Sequence, residues 1–282
     1  MTERINPFTD AGYKRIFGQE PSKDLLISFL NGLLEGERKI TDVTFLDKEQ
    51  LRESDESRTL IYDVFCKTDT GENIIVEMQN RIQPYYKKRS IYYISRAISN
   101  QGESGRNWMY GISAVYCISL MNFTDDAISR KFRTDVALMD METGELFSRD
   151  MRLIYLQLPR FRNTLEECCT LFDKWIYVLN HMEVLERLPE ALQMDIFKKL
   201  TEVTDVASLS KDERAEYDYA LKHYRDALCL LDGARLEGLR EGRLEGIQEG
   251  HLNMAKKLKA LGISFDVIQA SSGLSLEEIE KL

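Results

Sequence analysis

Apolar residues recur at helical spacing in two segments at the start of the chain. The first segment predicts a helix over residues 11–18, which Thr9 or Asp10 can cap because both residue types accept hydrogen bonds from a first helical turn. The second predicts a longer helix over residues 22–36, in which leucine and phenylalanine repeat at i, i+3 and i+4. A glycine ends each segment, as expected where a helix stops.

Short runs of β-branched and aromatic residues then replace the helical pattern and predict strands. Residues 69–72 have the composition of a hairpin turn, with Gly71 able to adopt the left-handed conformation. A long helix is predicted from Pro84 onward, where apolar residues return to helical spacing. The predicted strands are 40–46, 59–68, 73–79, 112–121 and 151–158. Helices and strands together indicate an α/β class with a sheet flanked by helices.

Beyond residue 160 the pattern is helical. The predicted helical segments are 165–188, 189–201 and 211–231. Residues 253–282 contain short helices separated by glycines, similar to a small helix-turn-helix. The chain is therefore predicted to divide into residues 1–160, a helical extension over 161–232 and a tail over 233–282.

The tail begins with a repeat of period four in which each glutamate is followed by a glycine. Its glycines are Gly238, Gly242, Gly246 and Gly250. Glycine weakens a helix by about 1 kcal/mol relative to alanine, so a compensating contact is expected. The repeat predicts a helix whose glycines contact another helix, in the same chain or in a symmetry mate. The second case would make the protein a homo-oligomer through its C-terminal helices, and a frayed, solvated linker is the alternative.

The composition excludes several classes of protein. The chain has 282 residues, of which 43% are hydrophobic and 30% charged, as in soluble globular proteins. The longest apolar run, 112–121, is too short to span a bilayer, and no signal-like apolar segment follows the N-terminus, so we expect the cytoplasm. The cysteines form no C-x-x-C pair, the histidines have no zinc-binding spacing, and no phosphate-binding glycine loop is found.

The net charge of −9 initially disfavours a nucleic-acid partner, because lysine and arginine make the phosphate contacts. Residues 1–160, however, hold 22 basic and 24 acidic side chains, so the acidic excess lies towards the C-terminus. Between residues 79 and 110 there is one acid, Glu103, among six bases. The bases are Arg81, Lys87, Lys88, Arg89, Arg96 and Arg106. A basic face is therefore expected near the helix that follows Pro84.

Asp63, Glu77 and Gln79 form the constellation with candidate chemistry. With a three-residue hairpin loop, Asp63 faces Glu77 at roughly 5 Å, and Gln79 shares their face because side chains alternate along a strand. Two adjacent carboxylates repel unless a cation lies between them, and oxygen ligands favour Mg²⁺ or another divalent cation. A two-residue loop would instead place Asp63 diagonal to Glu77. The alternative is that these polar residues lie on a solvent-exposed face of the strands and have no function.

These residues resemble those of the PD-(D/E)XK nuclease superfamily, specifically its recombination-promoting nuclease / putative transposase family. The resemblance rests on Asp63, on Glu77 and Gln79 with one residue between them, and on the Arg-Ser-Ile-Tyr-Tyr motif at 89–93. The motif Thr-Asp-x-x-Tyr-Lys-Arg-Ile-Phe-Gly at 9–18 is similar to that family's opening motif. The resemblance implies a restriction-endonuclease-like mixed sheet core over residues 1–160.

The resemblance also implies a metal-dependent DNA endonuclease that hydrolyses phosphodiester bonds. Asp63 and Glu77 would bind Mg²⁺ together with the Met78 carbonyl. Gln79 occupies the position of the superfamily's catalytic lysine, whose positive charge an amide does not supply. A catalytically silent protein that uses the same fold to bind DNA or a protein partner is therefore the alternative.

Four basic residues are candidates for DNA phosphate contacts, namely Lys14, Lys87, Lys88 and Arg89. Asp10 is interpreted as a helix cap rather than a third metal ligand. Tyr92 and Tyr93 are interpreted as core residues. The last helix carries three glutamates, which repel phosphate, so the C-terminal helices are expected to serve packing or oligomerisation rather than DNA reading.

Overall fold

The structure is a computed structural model that describes residues 3–47, 49–50, 60–102, 109–185 and 187–282. Its chain divides into two compact units, Met1–Leu221 and Lys222–Leu282. The first unit contains every strand of the described residues, and the second is helical. In the described ranges, no helix combines the length and the apolar character needed to cross a membrane.

The strands of the described residues are β1 (Val43–Phe45), β2 (Glu49–Gln50), β3 (Leu60–Ile61), β4 (Val64–Thr68), β5 (Asn73–Gln79), β6 (Val115–Met121), β7 (Arg133–Met139) and β8 (Leu146–Gln157). Six of them form one mixed sheet in the order β1-β4-β5-β6-β8-β7, and β2 and β3 form a separate two-stranded sheet. Strand β5 pairs in parallel with β6, and β6 in parallel with β8. The remaining pairs in this sheet are antiparallel.

Helices of the first unit cover both faces of the sheet. The α-helices of the described residues are α1 (Asp10–Phe17), α2 (Lys23–Leu33), α3 (Tyr86–Ser99), α4 (Leu171–His181), α5 (Asp195–Val203), α6 (Lys211–Ala260), α7 (Phe265–Ser272) and α8 (Leu276–Glu280). Short 3-10 turns lie at Glu20–Ser22, Leu158–Arg160, Met182–Val184, Glu190–Leu192 and Val206–Ser208. This arrangement confirms the predicted α/β class with a mixed sheet, flanking helices and a helical C-terminal region.

The core is split by the sheet because successive side chains of a strand point to opposite faces. Ile74 and Ile118 face the larger core, which α1, α2, α4 and α5 complete around Trp175. Ile75 and Cys117 face the smaller core beneath α3. Strand β6 is buried along its whole length, as expected for a central parallel strand covered on both faces. The odd-numbered residues of β5 therefore point towards α3.

Several element bounds differ from the predicted ones. Residue 59 lies outside the described residues, and the predicted strand 59–68 is interrupted at Tyr62 and Asp63. The predicted helix 165–188 is reduced to α4, because Thr170 and Asp173 form a capping box that starts the helix there. Strand β7 is absent from the predicted strands. Its exposed and partly buried residues do not alternate at the edge of the sheet, so it lacks the period-two pattern by which a half-buried strand is recognised.

The glycine repeat lies within α6, a single helix of 50 residues that also includes the predicted helix 211–231. A Cβ atom added at Gly238, Gly242, Gly246 or Gly250 would meet no atom of the described chain within 4 Å. The predicted contact with another helix of the same chain is therefore wrong. Self-association through this segment stays a prediction.

Candidate active site

The β4–β5 hairpin determines which side chains meet. Thr68 donates its backbone N–H to the carbonyl of Glu72 at 2.9 Å, and Gly71 has a φ of 100°, which favours glycine. Val64 pairs with Val76 and Lys67 with Asn73, so the loop has the predicted three residues. The same register, continued by one residue, places Asp63 opposite Glu77.

Hydrogen bonds hold the two carboxylates side by side. The N–H of Asp63 donates to Oε1 of Glu77 at 3.2 Å, and the N–H of Met78 donates to Oδ2 of Asp63 at 2.8 Å. Each acid thus accepts a backbone hydrogen bond from the strand segment of the other. Neither makes an ion pair with a lysine or arginine within the described ranges.

Burial disfavours the charged form of both acids. Glu77 is 4% exposed, and this burial, together with the nearby charge of Asp63, raises the pKa of Glu77 from 4.5 to about 8. Burial likewise raises the pKa of Asp63, and the negative charge of Asp10 adds to the rise. A bound cation would reverse both shifts by favouring the carboxylates.

Gln79 lies next to Glu77 on the same face of β5. It is 6% exposed, and its Nε2 is 3.5 Å from Oε2 of Glu77. The amide is therefore placed where it can donate a hydrogen bond to the second carboxylate oxygen, but it adds no charge to the site.

Helix α1 closes the other side of the pair around a cavity of about 90 Å³. The cavity is lined by Phe8, Thr9, Asp10, Tyr13, Asp63, Met78 and Asn80. Thr9 is the helix cap, since its hydroxyl accepts the N–H of Gly12 at 3.0 Å. The interpretation of Asp10 as the cap is therefore wrong. Asp10 is the first helical residue, and its exposed carboxylate pairs with Lys14 at 2.8 Å.

Tyr13 is a site residue that the sequence did not reveal. Its hydroxyl is buried and, among the described residues, has no hydrogen-bond partner. Burial raises the pKa of Tyr13, and the charges of Asp63 and Glu77 raise it further, so the hydroxyl stays a donor. A water needs about 10–15 Å³, so the neighbouring cavity has room for several waters. Such a water would accept a hydrogen bond from the Tyr13 hydroxyl.

The predicted DNA-contact residues occupy different surroundings. Lys87 donates to the carbonyl of Ala127, and Lys88 lies 5.5 Å from the centre of the Tyr85 ring. The Arg89 guanidinium lies 5.1 Å from the centre of the Tyr86 ring and is partly buried. Tyr92, predicted in the core, is 51% exposed, because it lies on the outer face of α3.

The donor set suits a hard cation. The described residues contain no group of three or more His, Cys, Asp and Glu side chains able to hold a metal. Mg²⁺ does not require such a group, because it is commonly bound by one or two carboxylates and keeps several waters. Asp63 and Glu77 provide the carboxylates, Met78 lines the cavity together with Asp63, and the Tyr13 hydroxyl provides a donor that has no partner among the described residues.

Comparison with known proteins gives one informative match. A family profile described as PD-(D/E)XK nuclease family transposase matches residues 7–234. No curated protein and no solved structure matches the chain. The matched range includes the whole six-stranded sheet and the carboxylate pair. The chain therefore belongs to the PD-(D/E)XK nuclease family transposases and has the restriction-endonuclease-like core that its resemblance implied.

Proposed function

We propose that this protein is a metal-dependent DNA endonuclease of the recombination or transposase-associated type. The observation that carries the proposal is the pair of adjacent carboxylates, partly buried Asp63 and buried Glu77, with no lysine or arginine paired to either in the described chain. Two acids placed in this way destabilise the fold unless they are protonated or bind a cation. Such an arrangement is typical of a site that is completed by a ligand.

In the proposed hydrolysis, the residues around the two carboxylates have different roles. Asp63 and Glu77 would hold the cation, and the backbone N–H groups of Met78 and Asp63 fix the orientation of the two carboxylates. The Gln79 amide donates to the Glu77 carboxylate, and the Tyr13 hydroxyl, which has no partner among the described residues, would donate to a water beside the cation. Bound Mg²⁺ would lower the pKa of a coordinated water and neutralise charge on the phosphate.

The first turn of α3 supports DNA as the substrate. It contains Lys87, Lys88 and Arg89 and no acid, and the residue before the helix makes no side-chain cap. Cations at this end oppose the helix dipole, so they do not stabilise the helix. They do add to the positive potential that attracts phosphate. Tyr85, which is 75% exposed, offers an aromatic face beside them.

The direct test is cleavage of a supercoiled plasmid by the full chain. With Mg²⁺ or Mn²⁺ we expect nicked and linear products, and with EDTA none. Plasmid retardation in a gel without cleavage, under every divalent metal tried, would contradict the proposal and favour the catalytically silent alternative.

A binding experiment tests the basic turn separately from cleavage. Replacing both Lys87 and Lys88 by glutamine should lower the slope of log affinity against log salt by about 0.9 for each duplex phosphate that the protein no longer neutralises. Fluorescence anisotropy with a duplex oligonucleotide in EDTA gives this slope. Lys67→Gln, an exposed change on β4, is the control. Equal slopes for the double variant and this control would mean that the turn does not contact DNA.

A further inference from the structure

Arg89 is held in place without being neutralised. Its guanidinium carbon lies 5.1 Å from the centre of the Tyr86 ring and 5.4 Å from that of Tyr93, and its Nη1 donates to Oε1 of Gln83. Its Nε is buried and has no hydrogen-bond partner within the described ranges. In the same part of the chain the guanidinium makes no ion pair. The fold therefore fixes the position of the Arg89 guanidinium, and its Nε donor has no hydrogen-bond partner within the described ranges.

The two tyrosines whose rings contact Arg89 also contact residues that lie next to the two carboxylates. The Tyr86 hydroxyl donates to Oγ of Ser119 at 2.8 Å, and Ser119 is the β6 partner of Glu77. The Tyr93 ring packs against the Tyr62 ring at 5.4 Å, and Tyr62 immediately precedes Asp63.

The effect of the Arg89 charge on the pKa of the two carboxyl groups agrees with these contacts. Burial raises the pKa of both carboxyl groups, and the positive charge of Arg89 opposes the rise at Asp63 and at Glu77. Lys14 is paired with Asp10, and Lys87 donates to a backbone carbonyl. The charge of Arg89 acts on both acids, and no acid of the described chain pairs with its guanidinium.

We propose that Arg89 is the catalytic cation of this site and binds the scissile phosphate in place of the lysine that Gln79 replaces. The inference rests on the proposed nuclease function. An arginine suits the task because its planar fork binds two phosphate oxygens at once and stays protonated at any working pH. Its two flanking rings reduce the rearrangement needed when negative charge develops on the phosphate.

The test compares Arg89→Gln, Arg89→Lys and the double variant Arg89→Gln/Gln79→Lys with the parent. Arg149→Gln, the same substitution on the exposed part of β8, is the matched control. We measure kcat and KM on a duplex oligonucleotide with Mg²⁺, the salt slope of binding in EDTA, and thermal unfolding. Arg89→Gln should lower kcat by about 100-fold and the salt slope by about 0.9. Arg89→Lys should show a smaller decrease, and Gln79→Lys should restore at least part of the kcat.

The outcomes separate the two proposals. An Arg89→Gln variant with parental kcat and parental salt slope overturns the role of Arg89, even if it unfolds at a lower temperature, because a structural role alone would give that result. If the parent and Asp63→Asn are equally inactive, the nuclease function fails, and the salt slope still shows whether Arg89 contacts phosphate. If the double variant does not fold, Arg89→Lys decides: a kcat as low as that of Arg89→Gln contradicts the need for charge.

Discussion

Replacing Asp63 by asparagine is expected to abolish metal-dependent cleavage and to leave the fold intact. Metal coordination supplies several kcal/mol of transition-state stabilisation, and a loss of about 4 kcal/mol corresponds to about 1,000-fold in rate. The fold should survive because the asparagine Oδ1 can still accept the hydrogen bond that the N–H of Met78 donates to Asp63. Removing one of two adjacent negative charges also relieves repulsion with Glu77.

Three measurements make this prediction specific. Plasmid cleavage with Mg²⁺ gives the rate, calorimetric titration with Mn²⁺ in the absence of DNA gives the metal affinity, and a melting curve reports the fold. Asp150→Asn, an exposed position on β8, is the control for a change of one charge. Cleavage at the parental rate by a folded Asp63→Asn variant would remove Asp63 from the site.

The position of the carboxylate pair follows from the sequence except for one choice, the length of the hairpin loop. Gly71 suits a two-residue or a three-residue loop, and the observed register has the three-residue one. Once the loop length is known, strand alternation places Asp63, Glu77 and Gln79 relative to one another. The apolar spacing also predicts α1 and α2, although α2 ends at Leu33 and not at the predicted residue 36.

Features that depend on the tertiary environment could not be predicted in this way. Tyr13 occurs in a helical apolar pattern, and only the packed structure shows that its hydroxyl lacks a partner among the described residues and lines the cavity beside Asp63. The sequence placed Arg89 in the motif at 89–93 but gave it the same role as Lys87 and Lys88, a phosphate contact. Its distinct surroundings depend on rings of α3 that are positioned by β6 and by the segment before β4. Strand β7 is recognisable only from its pairing with β8.

The proposed role of Arg89 would account for a glutamine at position 79. A lysine at this buried position would lie beside Glu77, where its charge would favour the carboxylate form. With glutamine there, no lysine or arginine of the described chain pairs with Asp63 or Glu77. Under the proposal above, Arg89 on α3 supplies the positive charge instead.

The stability of the metal-free protein is expected to fall as the pH rises from about 4.5 to about 8. Burial holds the pKa of Glu77 at about 8 in the folded chain, against 4.5 ordinarily. Between these values the unfolded chain releases the Glu77 proton and the folded chain retains it, so raising the pH favours unfolding. At 1.36 kcal/mol per pKa unit the loss is roughly 3 to 5 kcal/mol. Below pH 4.5 both states are protonated and this effect disappears.

Urea unfolding in EDTA at pH 5.5 and pH 8.5 tests this expectation, with tryptophan fluorescence as the signal because Trp175 is buried in the larger core. Glu77→Gln cannot ionise, so its stability should fall less over this range and exceed that of the parent at pH 8.5. Glu145→Gln, which is exposed, should behave as the parent. Mn²⁺ should restore the parent at pH 8.5 and affect Glu77→Gln much less, because a ligand stabilises only the state that binds it. Equal pH dependence in the parent and Glu77→Gln would mean that the Glu77 carboxyl is not strained, which would remove the physical reason for a cation between these two acids.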